Sequence, residues 1–348
     1  MALFGFGGSK STVALDVGSG LIKLVQIDHS KDEPVLSRVA ITPVLADAIV
    51  EGEIMDPGVV SDAIRGLFKT AGIKTKKAVV AVGGRDVIVK KIKVDRMKEA
   101  EAMEVVRWEA QQHVPFDIEA VELDFQILDP DSEGLQMDVL LVAAKKDLVE
   151  DKVGLLAQAG LEPGVVDIDS FALHNAFELN YPDAMTGIAA LLNIGNEVTN
   201  VNLLEDGVPL LNRDLSVGTR MFREDLQRER GMSAEDADQL LQGYELTPDL
   251  EPCVQNRGEE IAVGLERAGA FLQSASRDGG SIQRVYCCGG GARIPGLSDV
   301  IGRRLSLPVQ VASSLQRLQV KDGVFDTINA DEVGPILMLA TGLALRRN

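Results

Sequence analysis

The chain carries the same local pattern twice. Residues 13–28 read as an apolar strand, a tight turn at Gly18, Ser19 and Gly20, and a second strand through Leu24, Val25 and Ile27. About half a chain later, residues 190–205 read the same way, with Leu15, Asp16, Val17, Gly18 and Leu24 meeting Leu192, Asn193, Ile194, Gly195 and Val201. A duplication constrains the fold strongly. Two similar halves, each opened by a strand–glycine–strand hairpin, are expected to face one another across a cleft, and ligand sites favour clefts between domains.

Between the hairpins, strands are expected at residues 78–82, 87–94, 121–127 and 137–143. Residues 97–114 carry Ala100, Met103, Val106 and Ala110 as the apolar stripe of a surface helix stopped by Pro115. A further helix spans 146–159 and closes at Gly160. Residues 84–165 thus hold enough elements for a small α+β subdomain inserted in the first half. On the same helix as Met103, Trp108 is expected in core or interdomain packing. In the second half, a helix is expected over 219–230 and Ser233 caps a short one. Residues 242–257, with Pro248 and Pro252, read as a polar linker. A long helix over 258–276 presents Ile261, Leu265, Ala268 and Leu272 on one face. A strand at 284–288, a loop at 289–295, a helix, a strand at 307–312 and a small-residue helix at 333–345 complete the chain.

The residues of the first hairpin suit phosphate. Glycines let backbone N–H groups approach anionic oxygens, the Ser19 hydroxyl can donate to them, Lys23 neutralises charge, and Asp16 can hold the water shell of Mg²⁺. A turn with no ligand is the other reading of Gly-x-Gly in a hairpin. A dinucleotide fingerprint fits poorly, because Lys23 stands where the third glycine belongs and a strand follows instead of a helix. Residues 8–11 precede the first strand and lack the Gly-Lys pair of a P-loop.

Composition removes other classes. With 53 Asp and Glu against 35 Lys and Arg, the net charge is −18. A field of this sign repels phosphate backbones and anionic lipid over about 10 Å at ordinary salt, so membrane contact is expected only through a partner. The apolar stretch at 335–345 falls short of the roughly 20 residues a bilayer requires. Residues 1–8 hold Leu3, Phe4 and Phe6 without a basic or long apolar region, so a cytoplasmic location is expected. Cys253, Cys287 and Cys288 offer neither an even disulfide framework nor a metal spacing. His29, His113 and His174 lie too far apart in sequence to suggest a ligand set.

Four features follow in order: the Asp16 hairpin, its Asn193 repeat, the glycines 289–291, and a small-residue helix with Ala340 and Gly342. In this order the sequence resembles the actin-like ATPase superfamily over nearly its whole length. Asp16-x-Gly-Ser-Gly-x-x-Lys23 is similar to the phosphate-1 loop, Asn193-Ile-Gly-Asn-x-x-Thr199 to the phosphate-2 loop, and Cys288-Gly-Gly-Gly-Ala-x-x-Pro295-Gly-Leu297 to the adenosine motif. The inserted segment resembles the FtsA and PilM branch. Residues 3–6, residues 108–116 and the compact end at 341–345 favour the PilM family, since FtsA generally ends in a basic amphipathic helix.

The resemblance implies an α/β, actin-like, ribonuclease H-like duplicated fold with two domains around a nucleotide cleft. On this scheme residues 1–83 and 166–186 form the first core, with the helix at 331–347 packing back. Residues 84–165 form the insertion, 187–222 and 284–330 the second core, and 223–283 a helical subdomain. The implied ligands are ATP and Mg²⁺. The implied contacts are Asp16, Gly18, Ser19, Gly20, Lys23, Asn193, Gly195, Asn196, Thr199, Glu260, Gly289, Gly290, Gly291 and Ala292, with Asp16 holding Mg²⁺ through water. The implied partners are the N-terminal cytoplasmic tail of PilN and other inner-membrane and motor components of the pilus, with homo-oligomers as a further association. Asn193 stands where relatives usually place an acid, and the water-orienting position falls at Asp169, one methylene shorter than the usual Glu or Gln. A displacement of about 1 Å there costs on the order of 10²-fold, so slow or absent hydrolysis is expected. An actin-like small-molecule kinase and a filament-forming cytoskeletal protein are the alternative functions, and type II secretion employs a related cytoplasmic domain.

Overall fold

The computed structural model describes residues 11–130, 134–275 and 280–346. Leu3, Phe4 and Phe6, the end of the long helix at Ser276 and the end of the terminal helix at residue 347 lie outside the described residues, as do the side chains of Ala100 and Leu272.

The chain opens with three antiparallel strands, β1 (Ser11–Val17), β2 (Leu21–Asp28) and β3 (Val35–Pro43). A small hairpin, β4 (Ile49–Val50) and β5 (Glu53–Ile54), leads into helix α1 (Pro57–Thr70), whose N-cap Asp56 accepts from the Val59 N–H, and strand β6 (Lys77–Val82). Then come β7 (Val87–Asp95), α2 (Glu99–His113), β8 (Val121–Ile127) and β9 (Gln136–Lys145). Helix α3 (Lys146–Gln158), strand β10 (Glu162–Ile168) and helix α4 (Asp169–Asn180) complete the first half. The second half runs β11 (Ile188–Ile194), β12 (Thr199–Glu205), β13 (Val208–Leu215), α5 (Thr219–Arg230), α6 (Ala234–Leu241), α7 (Glu251–Ala275) and β14 (Arg284–Cys288). It closes with α8 (Leu297–Leu305), β15 (Val309–Val311), β16 (Gln319–Val320), α9 (Ala330–Val333) and α10 (Met338–Ala344).

The two halves have the same topology. One sheet orders its strands β10-β6-β1-β2-β3-β16, the other β15-β14-β11-β12-β13. In each, three antiparallel strands are extended on one side by two parallel ones, and the first sheet adds β16 parallel to β3 at its other edge. The register repeats as well: Asp16 pairs with Lys23 across the first hairpin, and Asn193 with Asn200 across the second. At the tips Gly18 N–H donates to the Leu21 carbonyl and Gly195 N–H to the Val198 carbonyl. The duplication read from sequence is therefore a duplication of fold.

The insertion is smaller than expected. Strands β7, β9 and β8 form a separate three-stranded sheet covered by α2, but α3 and β10 belong to the first core. Leu155, Leu156, Ala159 and Leu161 pack with Ile64, Leu67 and Phe68 of α1, and β10 pairs with β6. The inserted unit thus ends near Lys145 instead of 165, because the apolar side of α3 finds its partner on α1. Likewise β16 pairs with β3 in the first sheet, so the chain has left the second core before residue 330.

Three further expectations shift. Helix α7 starts at Glu251, inside the segment read as linker, and Pro252 sits in its first turn, where its missing N–H has no helical partner to lose. The terminal helix is broken into α9 and α10 by Gly334 and Pro335. On α2 the buried stripe is Ala102, Val106 and Ala110, an i, i+4, i+8 row that leaves Met103 and Trp108 exposed.

A shared core joins the halves. Leu173 and Phe177 of α4, Leu191, Cys288, Ala312 and the α10 residues Met338, Ala340 and Leu343 form one buried cluster. Phe177, Tyr181 and Tyr286 pack together there at 4.7–5.3 Å between ring centroids, Phe177 stacked on Tyr181 and edge-on to Tyr286. The chain end is tied to the first sheet, with Arg346 donating to both oxygens of buried Asp167 at 2.7 and 2.8 Å.

Candidate functional site

The hairpin tips meet at the mouth of the cleft. Asn196 Nδ2 donates to Ser19 Oγ at 3.5 Å, and a side chain on Gly20 would place its Cβ 3.0 Å from Asn196 Cβ. The second tip is seated on α5, whose Thr219 and Arg220 N–H groups donate to the Gly195 and Asn196 carbonyls at 3.0 and 2.8 Å. Thr219 Oγ1 adds a bond to Asn196 Oδ1 at 3.3 Å.

Behind the tips, Lys23 Nζ lies 2.9 Å from Asp16 Oδ2. Both are mostly buried, so the ammonium is held as a positioned cation instead of sweeping through solvent. Asp169, at the first position of α4, faces the same space, and its carboxylate packs so closely on Gly83 that a Cβ there would lie 2.8 Å from Asp169 Cγ. Protein surrounds this carboxyl, although it keeps some access to solvent at the cleft. Burial, reinforced by the neighbouring Asp16 charge, pushes it up from 3.8 to about 7, against the opposing pull of Lys152 and Lys23. Burial lowers Lys152 of α3, opposed by Asp169 and Asp16. The pair is thus biased toward its uncharged forms, which suits a group that accepts a proton near neutrality.

That shift has a measurable consequence. Because the folded state raises the Asp169 value, its contribution to stability is complete below about pH 4 and is lost as pH rises through 7. Asp169→Asn is therefore expected to raise the melting temperature at pH 8 by an amount corresponding to on the order of a few kcal/mol, with a smaller gain at pH 5.5. Paired thermal melts at the two pH values check this; a gain independent of pH contradicts it.

The glycines 289–291 divide their roles. A Cβ on Gly289 would sit 2.5 Å from the Ile194 carbonyl oxygen and 2.6 Å from Asn193 Oδ1, and one on Gly291 would lie 2.9 Å from Ile194 Cβ. These two let the loop lie flat on the end of β11. Gly289 also has φ +82°, a left-handed conformation that favours glycine. Gly290 is exposed and faces open space, leaving its backbone free for a ligand, while Ala292 is buried.

Two expected contacts are engaged elsewhere. Thr199 is fully buried, its hydroxyl donating to the Val217 carbonyl at 2.7 Å. Glu260 lies on α7 and accepts from Arg257 at 2.7 Å, beside the Arg257–Asp225 pair. The remaining expected residues, from Asp16 to Ala292, line the hairpins and the glycine loop.

Sequence reasoning missed Gly83, Lys152 and Asp214. Asp214 comes from β13, accepts from Asn200 Nδ2 at 2.7 Å, and reaches within 3.8 Å of the Cβ position of Gly84 in the other half. Its carboxyl is raised by burial, against the lowering effect of the Asn200 bond. The Asp206-Gly207 turn before β13 was the available signal for that strand.

A strap crosses the front of the cleft. Glu51 N–H donates to Glu197 Oε2 at 2.7 Å, and Arg220 lies 3.5 Å from Asp47 and 3.2 Å from Glu197. Asp47, Glu197 and Arg220 border a cavity of about 160 Å³ that also touches Ser19 and Asn196.

The donor set fits a hydrated cation and phosphate. A glycine-lined turn, a hydroxyl and a held lysine provide donors, Asp16 provides an anionic oxygen, and Gly290 leaves a backbone unobstructed. Among the described residues no group of three or more His, Cys, Asp or Glu is arranged to hold a metal ion. Among the same residues, no helix is long and apolar enough to cross a membrane.

Comparison with known proteins agrees with this architecture. A family model described as type IV pilus assembly protein PilM matches residues 14–348. A solved structure described as the PilM-PilN type IV pilus biogenesis complex is similar with 28% identity and a TM-score of 0.84, covering 96% of this chain and 98% of the other. The ethanolamine utilization protein EutJ from Carboxydothermus hydrogenoformans is similar at 18% identity and TM-score 0.59, over 96% and 89% of the two chains. MreB5 of Spiroplasma citri bound to AMPPNP is similar at 12% identity and TM-score 0.52, over 97% and 95%. The last two likenesses show the actin-like fold.

Proposed function

Because this chain belongs to the PilM family of type IV pilus assembly proteins, we propose that it is an ATP-binding scaffold that holds the N-terminal cytoplasmic tail of PilN. In this role it would link the inner-membrane complex to the pilus motor and platform. The observation that carries the reading is the likeness, over almost the whole chain, to a protein solved as a PilM-PilN complex. The paired hairpins support the nucleotide part: they are duplicated in register, touch at their tips, and bring Asp16 and Lys23 to one side and Asn193 to the other.

Bound ATP with Mg²⁺ would supply a polyanion and the charge that partly neutralises it. Lys23 would then exchange the Asp16 carboxylate for a phosphate oxygen, and Asp16 would turn its freed oxygen to the hydrated cation. Gly18, Ser19, Gly20, Gly195 and Asn196 would close around the phosphates, with Gly289, Gly290, Gly291 and Ala292 beside the nucleoside. Asp169 would hold water by a hydrogen bond and accept its proton, slowly, because its short side chain is anchored against Gly83. The tail would lie in the groove between the inserted sheet and the first core, where an extended peptide adds main-chain hydrogen bonds and fills small apolar pockets. Membrane attachment would follow from this contact.

The alternatives separate readily. The protein is expected to retain a synthetic PilN tail peptide on a column in the presence of ATP·Mg while releasing phosphate at a rate near background. Failure to retain the peptide, together with ATP consumption that requires an acceptor, identifies a small-molecule kinase. Sedimentation with nucleotide identifies a filament.

A further inference from the structure

Across β11, β12 and β13 the side chains of Asn193, Asn200 and Asp214 form a continuous row, since Asn200 lies opposite Asn193 on one side and opposite Asp214 on the other. Asn200 Nδ2 donates to Asp214 Oδ1 at 2.7 Å, and Asn193 Nδ2 donates to Asn200 Oδ1 at 3.1 Å. The direction of this row follows from the donor and acceptor inventory. An ionised carboxylate only accepts, so Asn200 must turn its NH₂ toward Asp214 and its oxygen toward Asn193. Asn193 must then offer its own NH₂ to Asn200, which leaves Asn193 Oδ1 on the far side. That oxygen lies against the glycine loop, where it accepts a weak bond from Cys288 Sγ at 3.8 Å and sits beside Gly289, whose missing side chain leaves it room.

We propose that Asp214 is the positioning acid of the second hairpin, acting through Asn200 to make Asn193 turn an oxygen, instead of an amide nitrogen, toward the glycine loop, beside which the hydrated cation and phosphates of bound ATP would lie. By the duplication, this oxygen occupies the place that a carboxylate of Asp16 holds in the first half. The negative charge is thereby set two strands back from the site while its effect on polarity is kept. Asp214 also faces Gly84 of the first half, so the relay ends at the junction where the halves meet. The inference deepens the ATP·Mg reading and rests on it.

The test compares Mg²⁺-dependent and Mg²⁺-free ATP binding by calorimetry, with thermal melts as a check on folding. Asp214→Asn removes the fixed direction, because the new amide can donate as well as accept. It is expected to weaken ATP binding in Mg²⁺ by roughly tenfold, the usual scale for a group supporting a cation ligand, while binding in EDTA stays the same. The exchange Asn193→Asp with Asp214→Asn reverses the row: the carboxylate at 193 accepts from Asn200 Nδ2, and the amide at 214 donates to Asn200 Oδ1. This double variant is expected to regain the Mg²⁺ dependence. An equal loss with and without Mg²⁺, no loss at all, or a double variant as weak as the single one would overturn the inference. Failure of the wild type to bind ATP·Mg would instead overturn the ATP reading. Nucleotide-free protein gives an independent readout, since the side-chain amide resonances of Asn193 and Asn200 should move in Asp214→Asn. Unchanged resonances overturn the relay whatever ATP does.

Discussion

Asp16→Ala is expected to abolish detectable ATP·Mg binding. Asp16 is 9% exposed and its carboxylate holds Lys23 at 2.9 Å, so one substitution removes the anionic oxygen for the cation shell and releases the lysine that should meet phosphate. Removing one member of a buried, hydrogen-bonded charge pair from a binding site costs about 2–5 kcal/mol, or roughly 30-fold to several thousandfold in Kd. Lys23 then lacks its counter-ion, which adds a modest loss of stability in the nucleotide-free protein. Asp16→Asn separates the two effects: it keeps the shape and a hydrogen-bond acceptor for Lys23 but not the charge, so its melting temperature should lie near the wild type while its affinity does not. Calorimetry of both variants against the wild type checks this. Wild-type affinity in Asp16→Ala would move the nucleotide to another place in the molecule.

Gly342→Ala is expected to be among the most disruptive single substitutions in the chain. Here α10 crosses α4 at backbone contact. A Cβ on residue 342 would overlap the Ala172 carbonyl oxygen and lie 2.5 Å from its carbonyl carbon. Backbone cannot step aside as a long side chain does, so the helices must separate. Around this crossing Leu173, Phe177, Ala340 and Leu343 are all nearly free of solvent and belong to the core that joins the two halves. Separation would open voids among them, with an expected cost of about 3–5 kcal/mol and a midpoint lower by several degrees or more. Gly154→Ala is the matched control. Gly154 lies in α3 with nothing within 4 Å of its Cβ position, so alanine there should be neutral or stabilising by about 0.5–1 kcal/mol. Equal melting temperatures for the two variants would contradict the close crossing.

The sequence made the frame legible because hydrophobic alternation and glycine turns are local. Residues 13–28 and 190–205 betrayed the duplication without any knowledge of which strands pair. The same signal located Asp16, Lys23 and Asn193, which the sheets then bring to opposing hairpins. What stayed hidden depends on tertiary packing. Lys152 lies on a helix that sequence pattern alone could assign to the insertion; only its contact with α1 places that helix in the first core and so brings Lys152 near Asp169. Asp214 was missed because β13 presents mostly half-buried residues and no clear period, although an Asp-Gly turn precedes it. The exposure of Met103 and Trp108 was misjudged for a related reason: hydrophobic type suggests a buried face, but the i, i+4 row of Ala102, Val106 and Ala110 was narrow enough to cover the small sheet by itself. Thr199 matched the spacing of a phosphate contact, yet the nearby Val217 carbonyl takes its hydroxyl.

The proposed scaffold binds ATP·Mg in one cleft and holds a PilN tail with little turnover. The most direct measurement is a calorimetric titration of wild type and Asp16→Ala with ATP·Mg, each with and without a synthetic PilN tail peptide, accompanied by a phosphate-release assay. The expected result is that the wild type binds both ligands, that Asp16→Ala loses ATP, and that phosphate release remains near background throughout. Rapid phosphate release from a wild type that ignores the tail would contradict the scaffold and point to an enzyme acting on an acceptor.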